Sequence, residues 1–187
     1  MPPVIDATAA SRIGVVLALL LLLALNAGEA KAEQQEVQCS DVRLTLADDT
    51  YDKSCFTDSF MFSGMGGTGR RDILEATSVD GSHFLTAVDT IAQGQVILRR
   101  IPLHKQLESM FQLDDMSSWE NGRAIGSMDT AEFDADVKGI PSHCVGFQHY
   151  FGPEHGGYRG VTAGFGCSRT DREVVYDALR RLDIPSD

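Results

Sequence analysis

Positive charge and tryptophan are scarce in this chain. Its 187 residues hold 16 Lys and Arg against 27 Asp and Glu, a formal net charge of −11, and a single tryptophan, Trp119. That deficit of cations disfavours nucleic acid and anionic membrane surfaces, which attract faces rich in Lys and Arg. There is no Cys-x-x-Cys, so a zinc knuckle, a thioredoxin-type redox pair and a haem attachment site are all excluded. G-x-S-x-G, H-E-x-x-H and S-x-x-K are missing too, which removes the common hydrolase signatures. Internal repeats are absent.

Leucine, by contrast, is concentrated near the start. Arg12 precedes an uncharged run from Ile13 to Leu25 that contains five consecutive leucines, Leu19 to Leu23. The run is too short for a comfortable membrane span, which needs roughly 20 residues, but it suits the apolar region of a secretory signal. Asn26-Ala27-Gly28 breaks the helix, and Ala30-Lys31-Ala32 offers small residues at the two positions a signal peptidase reads. Residues 1–32 are therefore expected to be a cleavable Sec-type signal peptide, cut between Ala32 and Glu33, leaving 33–187 as one exported domain, periplasmic or secreted, with no stable membrane span. The signal carries Arg12 and Lys31 against Asp6 and Glu29, so its removal leaves the charge at −11.

All four cysteines, Cys39, Cys55, Cys144 and Cys167, survive cleavage, and an even number in an exported chain predicts two disulfides. Three connectivities are open, and proximity favours Cys39–Cys55 with Cys144–Cys167.

Along the mature chain, Val42 to Leu46 alternates as a half-buried strand would, and Phe56 to Phe62 is a second β-like run, ended by a glycine-rich loop, Ser63 to Gly69. Ile73 to Val79 and Phe84 to Ile91 flank Asp80-Gly81-Ser82 as the arms of a hairpin. Pro102 opens a helix running to about Gln112, followed by an acidic linker, Asp114 to Asn121, and a strand within Arg123 to Phe133. Cys144 to Phe151 and Gly160 to Cys167 read as a long-looped antiparallel hairpin. The run Thr170-Asp171-Arg172-Glu173 has the form of a capping box opening a final helix with Val174, Val175, Ala178, Leu179 and Leu182 on one stripe. Consecutive strands and few helices predict an α+β fold, an antiparallel sheet with helices covering one face, stapled by two disulfides.

The segments Cys144-Val145-Gly146-Phe147 and Gly164-Phe165-Gly166-Cys167, followed by the terminal helix, resemble a pattern found in small exported alphaproteobacterial proteins. The resemblance is confined to the C-terminal region, and it implies no activity and no residue roles.

Candidate chemistry is sparse. Gly64 to Gly69 contains a G-x-G-x-x-G spacing, but Arg70-Arg71-Asp72 leads into a strand instead of the apolar helix a phosphate loop requires. His143, His149 and His155 lie six apart, and at about 3.3 Å per residue an extended strand keeps the first two about 20 Å from each other, too far to share an ion. Asp48, Asp49 and Asp52 depart from calcium-loop spacing and read as a solvated acidic turn. No metal, cofactor or catalytic residue is assigned.

If Cys144 faces Cys167, then Val145, Phe147, His149 and Phe151 lie opposite Gly166, Gly164, Thr162 and Gly160. A glycine-lined face of this kind receives either a packed helix or a ligand. Phe147, His149 and Phe151, with Arg159 near by, are accordingly the candidate binding face. The expectation is a non-enzymatic binding or interaction domain whose partner is an envelope protein or a small ligand; the alternative is a hydrolase-like envelope enzyme. An enzyme should bring His, carboxylate or hydroxyl groups together in one cleft, and a binding module should show an apolar patch instead.

Overall fold

Two runs of β-branched and aromatic residues around Asp80-Gly81-Ser82 set the centre of the fold. Gly81 takes φ 68, and the Asp80 carboxylate accepts from Ser78 Oγ, Ser82 N and Ser82 Oγ at 2.7, 3.0 and 2.8 Å. Those hydrogen bonds hold the Asp80 carboxyl well below the usual range and close a tight turn between β4 (Thr68–Ser78) and β5 (His83–Gln93). The structure, a computed structural model, describes residues 34–62, 67–111, 116–137 and 140–186. The expected signal peptide and its cleavage site, residues 63–66 of the glycine-rich loop and 114–115 of the expected linker lie outside them.

The remaining strands are β1 (Gln35–Val37), β2 (Thr45–Leu46), β3 (Tyr51–Met61), β6 (Ser117–Asn121), β7 (Asp129–Val137), β8 (Ile140–Glu154), β9 (Gly157–Ser168) and β10 (Leu182–Asp183). Eight of the ten form one antiparallel sheet in the order β1-β3-β4-β5-β9-β8-β7-β6, and β10 pairs with β2 in a small separate ribbon. The helices are α1 (Leu103–Phe111) and α2 (Arg172–Arg181). Among the described residues, no helix is long and apolar enough to cross a membrane.

Both disulfides join the expected pairs, Cys39–Cys55 and Cys144–Cys167, and they point to a non-cytoplasmic protein. The hairpin register is also as expected, with Cys144 opposite Cys167, Val145 opposite Gly166, Phe147 opposite Gly164 and His149 opposite Thr162. Its loop is shorter than expected. Pairing continues to Glu154 opposite Gly157, leaving a turn of His155 and Gly156, whose φ of 91 suits glycine.

Side chains alternate across the sheet, so the register sorts them into two faces. The front carries Cys55, Leu74, Ala76, Leu85, Ala87, Val145 and Phe147, packed against Val175, Tyr176 and Leu179 of α2. The reverse carries Phe133, Ala135, Cys144, Phe165 and Cys167, packed against Leu107 of α1. Two glycines mark the division: a Cβ on Gly166 would strike Val175 Cγ1, and one on its neighbour-row residue Gly146 would strike Leu107 Cδ1. The helices therefore lie on opposite faces, and the expectation that they cover one face holds for α2 with the front only. A helix's apolar stripe requires burial but does not specify which side of a two-faced sheet supplies it.

Other elements are corrected in the same physical terms. Val42 to Leu46 alternates because Val42, Leu44 and Leu46 drop into the front core from a segment lying across the sheet; only Thr45–Leu46 is paired, with β10. The expected linker holds an edge strand, β6, and the strand expected at Arg123 to Phe133 is β7, several residues later. The cap of α2 is Asp171, whose carboxylate accepts from Glu173 N at 2.9 Å, while the Thr170 hydroxyl meets Ser168 Oγ. Asp48 is not simply solvated: it accepts from Thr50 N and Oγ1 and pairs with Arg181 of α2.

Candidate functional site

The register places five polar residues in one row across the front face. Thr57, Asp72, Asp89, Thr162 and His149 occupy directly opposed positions on β3, β4, β5, β9 and β8. Asp72 accepts from Thr57 Oγ1 at 3.0 Å, Arg70 Nε at 2.8 Å and the Arg43 backbone N–H at 3.2 Å. Asp89 accepts from Thr162 Oγ1 at 2.8 Å, and its second oxygen meets Arg43 Nη1 at 3.4 Å, an ion pair lacking hydrogen-bond geometry. Burial raises the Asp89 pKa; the Thr162 hydrogen bond and Arg43 oppose that shift, and Asp72 adds to it.

Of the expected binding face, Phe147 is fully buried under α2, and Phe151 is buried with the Arg43 guanidinium 5.1 Å from its ring centre. His149 is partly exposed, stacked 6.4 Å from Phe151, and hydrogen-bonded to the Ser127 carbonyl. Arg159 is separated from these three. Its neighbour Gly160 is the residue opposite Phe151, so Arg159 points to the reverse face, exposed and ion-paired with Glu154. Gly166, opposite Val145, thus admits the helix, Gly164, opposite Phe147, leaves room for the Phe147 ring and the β5 backbone, and Arg43 lies over Phe151.

The row contains groups suited to proton transfer, but Asp72, Asp89 and Thr162 are each 0% exposed. General acid–base catalysis needs the group within hydrogen-bond reach of a substrate, and these oxygens are turned to one another and to the covering segment. A histidine–carboxylate contact outside the row, His143 Nδ1 with Asp134 at 2.8 Å, includes Arg172, also on Asp134 at 2.7 Å, and lies open on the surface. Among the described residues, no group of three or more His, Cys, Asp or Glu side chains is placed to hold a metal.

An aromatic-lined concavity is on the reverse face. A groove of about 460 Å³ runs over β4, β5 and β9, between the end of α1 and the facing ends of β7 and β8 at Val137 and Ile140. Phe84, Phe111 and Phe165 line it, with Val137 and Ile140 on the far wall and Thr86 from β5. Phe165 is the hub: Phe84 and Phe111 meet it edge-on at 5.7 and 5.1 Å between ring centres. The sheet supplies Phe84 and Phe165 to the same face because Phe84 pairs with Cys167, two residues along β9. The sequence signal that locates them is alternation: Phe165 lies between Gly164 and Gly166 and must face away from α2. Comparison of the chain with protein-family models, with curated proteins and with solved structures finds no match.

Proposed function

We propose that this chain is an exported, non-enzymatic binding domain that holds a small apolar ligand in the reverse-face groove. The observation that carries the reading is the cluster of Phe84, Phe111 and Phe165 around an open space of about 460 Å³, within the size range of small-molecule sites. The inaccessibility of the Asp72–Asp89 row favours binding over the hydrolase alternative. Two disulfides suit a domain that works outside the cytoplasm, with processing after Ala32 as the route.

Nile red, a neutral apolar dye, should bind the purified domain saturably at one site. Thr86→Trp, which fills the groove from β5, should abolish that binding while the urea midpoint stays near wild type. Dye binding unchanged in this variant, or no saturable binding to the wild type, overturns the proposal.

A further inference from the structure

Arg169 lines the groove at the β4–β5 turn end, and its side chain is exposed. Every other described arginine except Arg99 has a carboxylate partner. In a chain where carboxylates outnumber cations 27 to 16, an arginine without an ion-pair partner among the described residues stands out. Acids in the turn that Arg169 bonds to and next to it in the chain are already engaged. Asp80 closes the hairpin turn, and Asp171 caps α2.

The position of Arg169 is also held. Its backbone N–H donates to the Ser82 carbonyl at 3.2 Å, and the Ser168 hydroxyl accepts from the next two amides, Thr170 and Asp171. Among the described residues, the one acid lining the groove is Glu75, opposite Thr86 and three residues along β5 from the His83–Ser168 pair next to Arg169. At about 3.3 Å per residue the two backbone positions are on the order of 10 Å apart along the strands, with β5 between them. The groove thus carries a guanidinium at its turn end, beyond Phe84, and a carboxylate in the cross-strand row that holds Phe165.

We infer that the groove takes an amphipathic carboxylate, its apolar body on Phe84, Phe111 and Phe165 and its anionic end on Arg169. This rests on the groove being the ligand site. Guanidinium and carboxylate match in geometry as well as charge, and the pair gains strength at the edge of an apolar surface.

Decanoate, decanol and decyltrimethylammonium share one tail and differ in head group, and each can be tested by displacement of Nile red. On the wild type, decanoate should bind about tenfold more tightly than decanol, the effect of one charge-assisted contact, and the ammonium more weakly still. Arg169→Gln should erase the preference for decanoate and leave decanol affinity unchanged. Equal affinity for decanoate and decanol on the wild type, or a preference that survives in Arg169→Gln, overturns the inference while leaving the groove as the site. If none of the three displaces the dye, or if Thr86→Trp does not weaken them, the groove itself is not the site and both readings fall.

Discussion

Asp72 and Asp89 face each other across β4 and β5, and neither side chain has any exposure to solvent. Arg43 connects them, donating its backbone N–H to Asp72 and setting its guanidinium against Asp89. The residue therefore fastens the covering segment to the sheet through two different groups.

This arrangement has a pH signature. Burial raises the Asp89 pKa above its ordinary value of 3.8, against the pull of Thr162, Arg43 and Arg70 and with the push of Asp72. A carboxyl with a raised pKa binds its proton more tightly in the folded than in the unfolded state. Its ionisation therefore costs stability, with no cost below the unfolded pKa and the full cost above the folded one. Asp89→Asn removes the titration while keeping an oxygen for Thr162. The urea midpoint of the variant relative to wild type should rise as pH increases from about 3.8 upward, then level off. A relative midpoint that falls over the same interval would show that Asp89 is held ionised.

How much of this was legible depends on whether the information is local. The Cys144–Cys167 pairing and the alternating glycines specify a hairpin register within 24 residues of chain, and that register is observed residue for residue. The polar row is different: Thr57, Asp72, Asp89, Thr162 and His149 come from five strands, and only the assembled ladder aligns them. The aromatic groove has the same origin, since nothing in the spacing of Phe84, Phe111 and Phe165 shows that they meet. Edge strand β6 was hidden for another reason. Ser117–Asn121 is mostly exposed and has no apolar alternation to distinguish it from a linker.

The close approach at Gly164 should be the least forgiving of side chains on the front face. A Cβ there would run into the Thr86 carbonyl, the Ala87 Cα and the Phe147 ring, and two of these are backbone. Gly164→Ala should cost about 1–3 kcal/mol, the usual cost of overpacking. Gly146→Ala meets chiefly the Leu107 side chain, which can move, and should cost less. Urea denaturation of the two variants gives the order directly, and a reversed order would mean that β5 yields more easily than α1.

The two disulfides close loops with sequence separations of 16 and 23, each worth about 3 kcal/mol in the chain-entropy model. Their surroundings differ. Cys144 and Cys167 are both in the reverse core, whereas Cys39 is only partly buried at the domain margin. Paired alanine substitution should therefore destabilise more at Cys144–Cys167, through lost packing added to the lost cross-link. Thiol titration of the unreduced, unfolded protein should find no free cysteine, and detection of two or more would contradict the pairing.

The terminal helix gives the sharpest separation between core and cap. Leu179 is 0% exposed and packs with Val145 and Phe147 on the front of the sheet, so Leu179→Ala should cost about 2–5 kcal/mol. Asp171→Ala removes one hydrogen bond to a first-turn amide and should cost about 1 kcal/mol. Thr170→Ala should cost less than either, because the Thr170 hydroxyl contacts Ser168 Oγ and makes no bond to the helix amides. Urea midpoints should fall in the order Leu179→Ala, Asp171→Ala, Thr170→Ala, from the largest loss to the smallest. If Leu179→Ala lost no more than Asp171→Ala, α2 would be a surface attachment, and the front face beneath it, with its glycines opposite Val145 and Phe147, would be open to a ligand after all.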